Sequence, residues 1–308
     1  MSTIIPLTPH PGLNEPQKRV PKPDWLKVRA PGSEKYLQLK KLMRGLDLHT
    51  VCEEAHCPNI GECWNHGTAT FMILGDVCTR ACGYCAVSHG KPVTLDLAEP
   101  ARVADAVKVL GLNYVVITSV DRDDLADGGA QIFAETIKLT REAVPAIRIE
   151  VLIPDFQGKA EPLQTVLDAG PDILNHNTET VPRLYRFARS GGRYPRTLEL
   201  LDRSRTYAPH IPTKTGLMVG LGEEWDEVVQ TMRDLRGVGV DILTIGQYLR
   251  PGSENLPMAR YYTPAEFAQL KRIALDMGFG HVESGPLVRS SYHAHEQADA
   301  LAEIRANR

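Results

Sequence analysis

All six cysteines of this 308-residue chain fall between residues 52 and 85, in two groups of three. Cys52, Cys57 and Cys63 stand as C-x4-C-x5-C in "CEEAHCPNIGEC", and Cys78, Cys82 and Cys85 as C-x3-C-x2-C in "CTRACGYC". Three thiolates on one short loop can hold three corners of an iron–sulfur cube and leave one iron open to a different ligand. Two triads point to two clusters. Zinc is the competing chemistry, because structural zinc takes four nitrogen or sulfur ligands, and His56, His66 and His89 lie near enough in sequence to complete such sites. Neither triad has the paired layout of a zinc knuckle, however, and the gap before Cys63 is unusual for one. Disulfides rank last, since clustered thiols in a reducing compartment serve metals or catalysis.

The elements that must position these thiols follow from periodicity. Residues 1–32 carry Pro6, Pro9, Pro11, Pro16, Pro21, Pro23 and Pro31 and form an extended, proline-rich arm. "EKYLQLKKLMR" (34–44) places apolar residues at helical spacing just ahead of the first triad. From residue 71 onward, short apolar runs alternate with helical stretches. The runs are "FMIL", "YVVITSV" (114–120), "IRIEVLI" (147–153), "DILNHN" (172–177), "TKTGLMVG" (213–220) and "DILTIGQY" (241–248), with "HVES" (281–284) as a weaker seventh. The helical stretches include "EPARVADAVKVLG", "GGAQIFAETIKLTREAV", "VPRLYRFARS", "WDEVVQTMRDLRGVG" and "TPAEFAQLKRIALDMG". Such alternation predicts right-handed βαβ units on a parallel sheet, and about six of them make an incomplete barrel.

Polar residues collect just after the predicted strands: Asp121, Arg122, Asp123 and Asp124; Asp155; Asn175, His176 and Asn177; Gln247 and Arg250. Each has a plainer use as a helix cap. Their recurrence at successive strand ends favours a site, because loops converge at that edge of a parallel α/β sheet. Arg183, Arg186 and Arg189, at i, i+3 and i+6, are predicted to share one helix face, either simply solvated or turned toward an acidic partner domain. The glycines of "GLMVGLGEE" lack a phosphate-loop ending and are taken as strand-to-loop punctuation. The two histidines of "HAHE", at i and i+2, do not share a helix face, and so carry no metal site.

Composition excludes several classes of function. With 43% hydrophobic and 24% charged residues and a net charge of −3, the chain is of ordinary globular type and offers no broad positive field for nucleic acid. No apolar run approaches the length of a bilayer span, and the start "MSTIIPLTPHPGLNEPQKRVPKPDW" lacks the apolar core of a signal peptide. The expected location is a reducing cytoplasm.

"CTRACGYC" resembles the cluster loop of the radical S-adenosylmethionine (radical SAM) superfamily, C-x3-C-x-aromatic-C, with Tyr84 as the aromatic residue. The upstream "CEEAHCPNIGECW" and the late "GPLVRSSYHA" (285–294) narrow that resemblance to the lipoyl synthase family. The likeness extends from about Trp25 to His295, through "ATFMILGDVCTRACGYCAV", "VVITSVDRDDLADGGA", "IEVLIPDF", "NHNTETVPRLY" and "KTGLMVGLGE". Biotin-synthase types are expected to lack the upstream triad, and tRNA methylthiotransferases to add a cysteine domain and a basic tail. A zinc-stapled interaction protein without catalysis is the alternative from outside the enzymes.

The resemblance implies a (β/α)6-type partial TIM barrel over residues 67–284. The arm (1–32), a helical cysteine segment (33–66) and a C-terminal extension (285–308) would flank it. Cys78, Cys82 and Cys85 would hold a [4Fe–4S] cluster whose open iron binds S-adenosylmethionine. Cys52, Cys57 and Cys63 would hold an auxiliary [4Fe–4S] cluster, with Ser291 as fourth ligand and Ser290 as its competitor. A helix start with serine caps is the plainer account of "RSSYHAHEQADALAEIR". Tyr84, Glu150, Asn175, Asn177 and Glu179 are the expected S-adenosylmethionine contacts. The implied reaction inserts sulfur at C6 and C8 of an octanoyl group on a lysine, consuming two S-adenosylmethionines per lipoyl group, with the auxiliary cluster as sulfur donor. Implied partners are octanoylated lipoyl carrier proteins (lipoyl domains of 2-oxoacid dehydrogenases and the glycine-cleavage H protein) and a ferredoxin or flavodoxin. A monomer is expected, with no nucleic-acid or membrane partner.

Overall fold

Strands buried on both faces carry apolar residues with little alternation, and several strands of this sheet, Thr70–Ile73 and Ile242–Gln247 among them, are buried at every position. The computed structural model describes residues 21–28, 32–54, 57–65, 70–292, 294, 296 and 297. Its sheet has eight strands in sequential order: β1 (His49–Thr50), β2 (Thr70–Ile73), β3 (Tyr114–Ser119), β4 (Arg148–Leu152), β5 (Ile173–Asn175), β6 (Thr213–Val219), β7 (Ile242–Gln247) and β8 (His281–Gly285). Strands β2 to β8 run parallel, with Phe71 opposite Ile117 and Gly246 opposite Gly285 among the pairs. β1 pairs antiparallel to β2 and covers its free edge. No pairing joins β1 to β8 among the described residues, so the barrel is open, as the predicted partial barrel requires.

Helices fill the crossovers. α1 (Glu34–Gly45), α2 (Val51–Glu54) and α3 (Ile60–Asn65) precede β2 or flank β1. After β2 come α4 (Glu99–Leu110), α5 (Ala130–Ala143), α6 (Ala160–Asp168), α7 (Tyr185–Ala188), α8 (Tyr194–Tyr207), α9 (Trp225–Gly237) and α10 (Pro264–Asp276). Local signals set their ends. Ser33 accepts the Tyr36 amide at 3.2 Å to open α1, Thr263 and Glu266 form a capping box on α10, and Gly111 closes α4 at φ +60°. β1, α6 and α8 were not anticipated from periodicity. No helix among the described residues is long and apolar enough to cross a membrane.

Apolar matter lies between sheet and helices in two main clusters, one around β2–β4 with α4 and α5, the other around β6–β8 with α9 and α10. The barrel interior holds charged and polar groups beside apolar ones: Glu150, Asn175 and Lys214 are buried there on neighbouring strands and bonded to one another.

One expectation fails outright. "VPRLYRFARS" is a 3-10 turn over Pro182–Leu184 followed by the four-residue α7, so its three arginines do not share a face. Arg183 is exposed and pairs with Glu227 at 2.8 Å, and Arg186 lies over the Phe187 ring. Arg189 leaves the helix with φ −118° and ψ 89° and turns into the protein, where it is 8% exposed. The helix ends before the third position, so helical spacing no longer sets the direction of Arg189.

Candidate active site

The loop after β2 carries Cys78, Cys82 and Cys85 and is held by backbone bonds on both sides. The Cys78 amide donates to the Ser88 carbonyl at 2.8 Å, the Cys85 amide to Cys82 at 3.0 Å, and the Gly83 amide to Ala188 at 2.9 Å. Leu256 donates its amide to the Gly83 carbonyl at 2.8 Å, and Asn255 donates its side chain to the Cys85 carbonyl at 2.7 Å. Gly83 is required in this turn, since a Cβ there would stand 2.7 Å from the Phe187 carbonyl oxygen.

The second triad is assembled differently. Cys52 lies in α2 and Cys63 in α3, and Cys57 joins them through its amide bond to the Cys52 carbonyl at 3.0 Å. The Asn59 side chain donates to the Leu287 carbonyl at 2.7 Å, and the Tyr292 hydroxyl donates to Glu62 at 3.3 Å. These bonds clamp the C-terminal "RSSY" segment onto the cysteine segment. β7 admits the segment because Gly246 has no side chain.

Both triads open onto one cavity of about 510 Å³, within the range of small-molecule sites. All six cysteines line it, together with Ser290, Ser291, Tyr84, Asn177, Glu179, Arg189, Arg289 and the end of β3 from Thr118 to Asp121. Ser290 and Ser291 stand in a turn and line the same cavity. Ala294, Glu296 and Gln297 are helical, and the rest of the C-terminal stretch lies outside the described residues, as do residues 1–20 of the arm. His56 and His66 also lie outside them, and His89 is exposed and not among the cavity's lining.

The donor set suits metal clusters. All six cysteines are free of disulfides. Burial pushes the Cys63 thiol up to about 12, with Cys52 and Cys57 adding to it, and pushes Cys82 up to about 12, with Asp121 adding to it. Cys52 and Cys85 rise to about 11, again chiefly through burial. Thiols in such a place become thiolates only beside a strong cationic centre, which metal supplies. Among the described residues no three His, Cys, Asp or Glu side chains converge as one ion's ligands would. An iron–sulfur cube, in contrast, spreads its cysteine ligands over several irons.

Orphaned polar atoms in the same wall fit a polar ligand: Asn177 Oδ1 and Ser119 Oγ are buried without a hydrogen-bond partner. Gly216 leaves room for Asn177, because a Cβ there would meet Asn177 Oδ1 at 2.8 Å. Glu179 sits at φ +72°, held by its amide bond to Gly216 and by the Met218 amide on its carbonyl. Burial raises its carboxyl, with Arg189 opposing. Tyr84 lies beside it, and burial plus the Glu179 charge hold its hydroxyl well above the usual range.

Glu150 and Asn175 are not part of the cavity wall. Glu150 is fully buried, paired with Lys214 at 2.9 Å, and accepts from the Tyr114 hydroxyl at 2.7 Å and the Asn175 side chain at 3.0 Å. Arg189, assigned to the surface by its spacing, instead lines the cavity, donating to the Asn177 carbonyl and lying 3.2 Å from His176 Nε2. No sequence signal marked that inward turn.

Comparison with known proteins agrees with this geometry. Residues 72–235 match the Radical SAM superfamily, and residues 12–57 match the N-terminal domain of lipoyl synthase of the radical SAM family. The chain is 63% identical over 286 residues to the lipoyl synthase of Koribacter versatilis, covering 93% of this chain and 94% of that protein. It is 63% identical over 278 residues to that of Rubrobacter xylanophilus, covering 90% and 87%. In fold it is similar to the FeFe-hydrogenase maturase HydG from Carboxydothermus hydrogenoformans, with TM-score 0.55 and 17% identity over 86% of this chain and 60% of the other. Two triads on one cavity, an open parallel barrel and relatives at this identity lead to one conclusion: the chain belongs to the lipoyl synthase family of sulfur-inserting radical SAM enzymes.

Proposed function

We propose that this enzyme inserts two sulfur atoms, at C6 and C8, into an octanoyl group carried as an amide on a lysine of lipoyl carrier proteins. The lipoyl domains of 2-oxoacid dehydrogenases and the glycine-cleavage H protein are the proposed carriers, a ferredoxin or flavodoxin the electron donor, and the cytoplasm the place. The observation that carries the proposal is that both cysteine triads and the serines of "RSSY" line a single cavity. One acyl chain entering it can meet both centres.

In this assignment Cys78, Cys82 and Cys85 would hold a [4Fe–4S] cluster that would supply the electron for cleavage of S-adenosylmethionine, and Cys52, Cys57, Cys63 and Ser291 would hold a second that would supply sulfide. The chain's own residues bind, orient and exclude. Asn177, with its free Oδ1, and Glu179 accept from the amino and hydroxyl groups of S-adenosylmethionine, and Tyr84 packs beside them. Glu150 and Asn175 act at one remove: their bond ties β4 to β5 and so fixes the strand that leads to Asn177. Met72, Val87, Leu152, Met218 and Tyr248 give the wall an apolar lining, which keeps water from the reacting carbon. Two S-adenosylmethionines are consumed per lipoyl group, one for each C–H bond.

The test is anaerobic reconstitution with iron and sulfide, then addition of S-adenosylmethionine, a strong reductant and an octanoyl-lysine peptide whose mass is followed. The expected result is two sulfurs gained, about two 5′-deoxyadenosines per product, and output that stops near one turnover. 5′-Deoxyadenosine without any change in the peptide would remove the substrate assignment and leave the radical one.

A further inference from the structure

Two backbone N–H groups from different loops converge on the Cys78 sulfur. The Arg80 amide donates from the loop after β2 at 3.4 Å, and the Asp121 amide from the end of β3 at 3.3 Å. The side chains of these same two residues pair with each other, Arg80 Nη1 to Asp121 Oδ1, at 3.4 Å. Arg80 then continues outward as a fork. Its Nε and Nη2 reach the two oxygens of Asp123 at 2.7 and 2.8 Å, and Nη2 also reaches Asp155 at 2.6 Å. Arg196 closes the far side of Asp155 at 3.0 Å. Thr79 fastens the loops together next door, donating its amide and hydroxyl to the Asp121 carbonyl and accepting the Asp123 amide. The Arg80 side chain is 4% exposed.

We infer that Arg80 is a positioning residue that raises the reduction potential of the cluster bound at Cys78, Cys82 and Cys85. It does so by fixing two N–H donors on one ligand sulfur and by offsetting the carboxylates behind them. The inference rests on the proposed role of Cys78 as a cluster ligand. Reduction adds negative charge, so N–H groups on a ligand sulfur and a cation nearby both stabilise the reduced form. Asp121, Asp123 and Asp155 act in the opposite direction. Burial keeps solvent and salt from screening either effect. Removing the guanidinium frees both donors and leaves the carboxylates less compensated, so the two consequences have the same sign. A fork whose bracing did not reach the donors on the Cys78 sulfur would alter stability and leave the potential unchanged.

The experiment is a redox titration of the full-length, reconstituted protein, read by the electron paramagnetic resonance signal that shifts when S-adenosylmethionine is added, with iron counted in each sample. Arg80→Gln is expected to lower the reduced-to-oxidised ratio at fixed potential by about tenfold, equivalent to about 59 mV for a one-electron couple. Arg80→Lys keeps the charge but cannot span Asp123 and Asp155 together, so a smaller shift of the same sign is expected. Either variant carrying wild-type iron and titrating at the wild-type potential would overturn the inference. If Arg80→Gln holds no iron, Arg80→Lys decides. Absence of an S-adenosylmethionine-sensitive signal from the wild type would instead remove the proposed ligand role of Cys78.

Discussion

Gly246→Ala should disable the "RSSY" wall while sparing the rest of the barrel. A Cβ at residue 246 would stand 2.1 Å from the Val288 carbonyl oxygen and 3.1 Å from its carbon, backbone atoms that no rotamer change can clear. Ordinary contact begins near 3.4 Å, so the segment carrying Ser290 and Ser291 must retreat by about 1.3 Å, the difference between 3.4 and 2.1 Å. The Asn59 bond to the Leu287 carbonyl resists that movement at 2.7 Å, and the conflict falls on the segment that carries Cys52, Cys57 and Cys63. Overpacking of this kind costs about 1–3 kcal/mol of stability, and a displacement of about 1 Å costs a positioned reaction on the order of 10²-fold. The assay measures sulfur inserted into an octanoyl-lysine peptide, 5′-deoxyadenosine formed and iron bound. A fall of about 100-fold in sulfur insertion is expected, with S-adenosylmethionine cleavage close to wild type. Gly237→Ala is the control, because a Cβ there meets nothing within 4 Å. Wild-type sulfur insertion by Gly246→Ala would refute the assignment of the 285–292 segment to the reacting cavity.

Cys57→Ala should still cleave S-adenosylmethionine but make no lipoyl product, whereas Cys82→Ala should lose both; equal loss of cleavage would end the proposed division between the triads. Lys214→Met strands the fully buried Glu150 carboxylate and should cost about 3–5 kcal/mol in denaturant unfolding. A loss below about 1 kcal/mol would mean that Tyr114 and Asn175 suffice. His176 is held down to about 3 by burial, with the Arg189 charge adding to it, from an ordinary value of 6.5. Protonation therefore favours the unfolded chain: stability is full above about 6.5 and falls toward pH 3 by about 1.4 kcal/mol per pH unit from this group. Replacing His176 with Gln should flatten that window in a pH series of unfolding free energies, and parallel curves would contradict the assignment.

Much of the scaffold was legible because most of its strands are buried on both faces. "YVVITSV" and "DILTIGQY" carry their apolar runs almost to the ends of β3 and β7, and even the weak "HVES" became β8. β1 was invisible, since two residues carry no period and its pairing with β2 depends on chain returning from α1. Asp121, Asp123 and Asp155 could be placed at strand ends, but their convergence on Arg80 depends on how β3 and β4 sit beside β2. Glu150 and Asn175 were singled out by position along the chain. Their register puts them on the same face as Leu152 and Gly216 of the cavity wall, but deeper in the barrel, where both join the Lys214 network.

The sequence alone determined the chemistry on offer, because thiols at fixed short spacings have few uses, and a parallel barrel, because strand and helix periods alternate along it. Only the tertiary structure decided which groups share a space. Cys57 and Leu287 are far apart along the chain, yet the Asn59 bond to Leu287 and the bare face of Gly246 bring "RSSY" to the segment that carries Cys52, Cys57 and Cys63. Arg189 shows the same dependence: its spacing suggested a solvated face, and a broken helix turned it into the cavity wall. The physical reason is that local spacing sets which face of an element a residue occupies, whereas packing, register and close backbone approach set what that face meets.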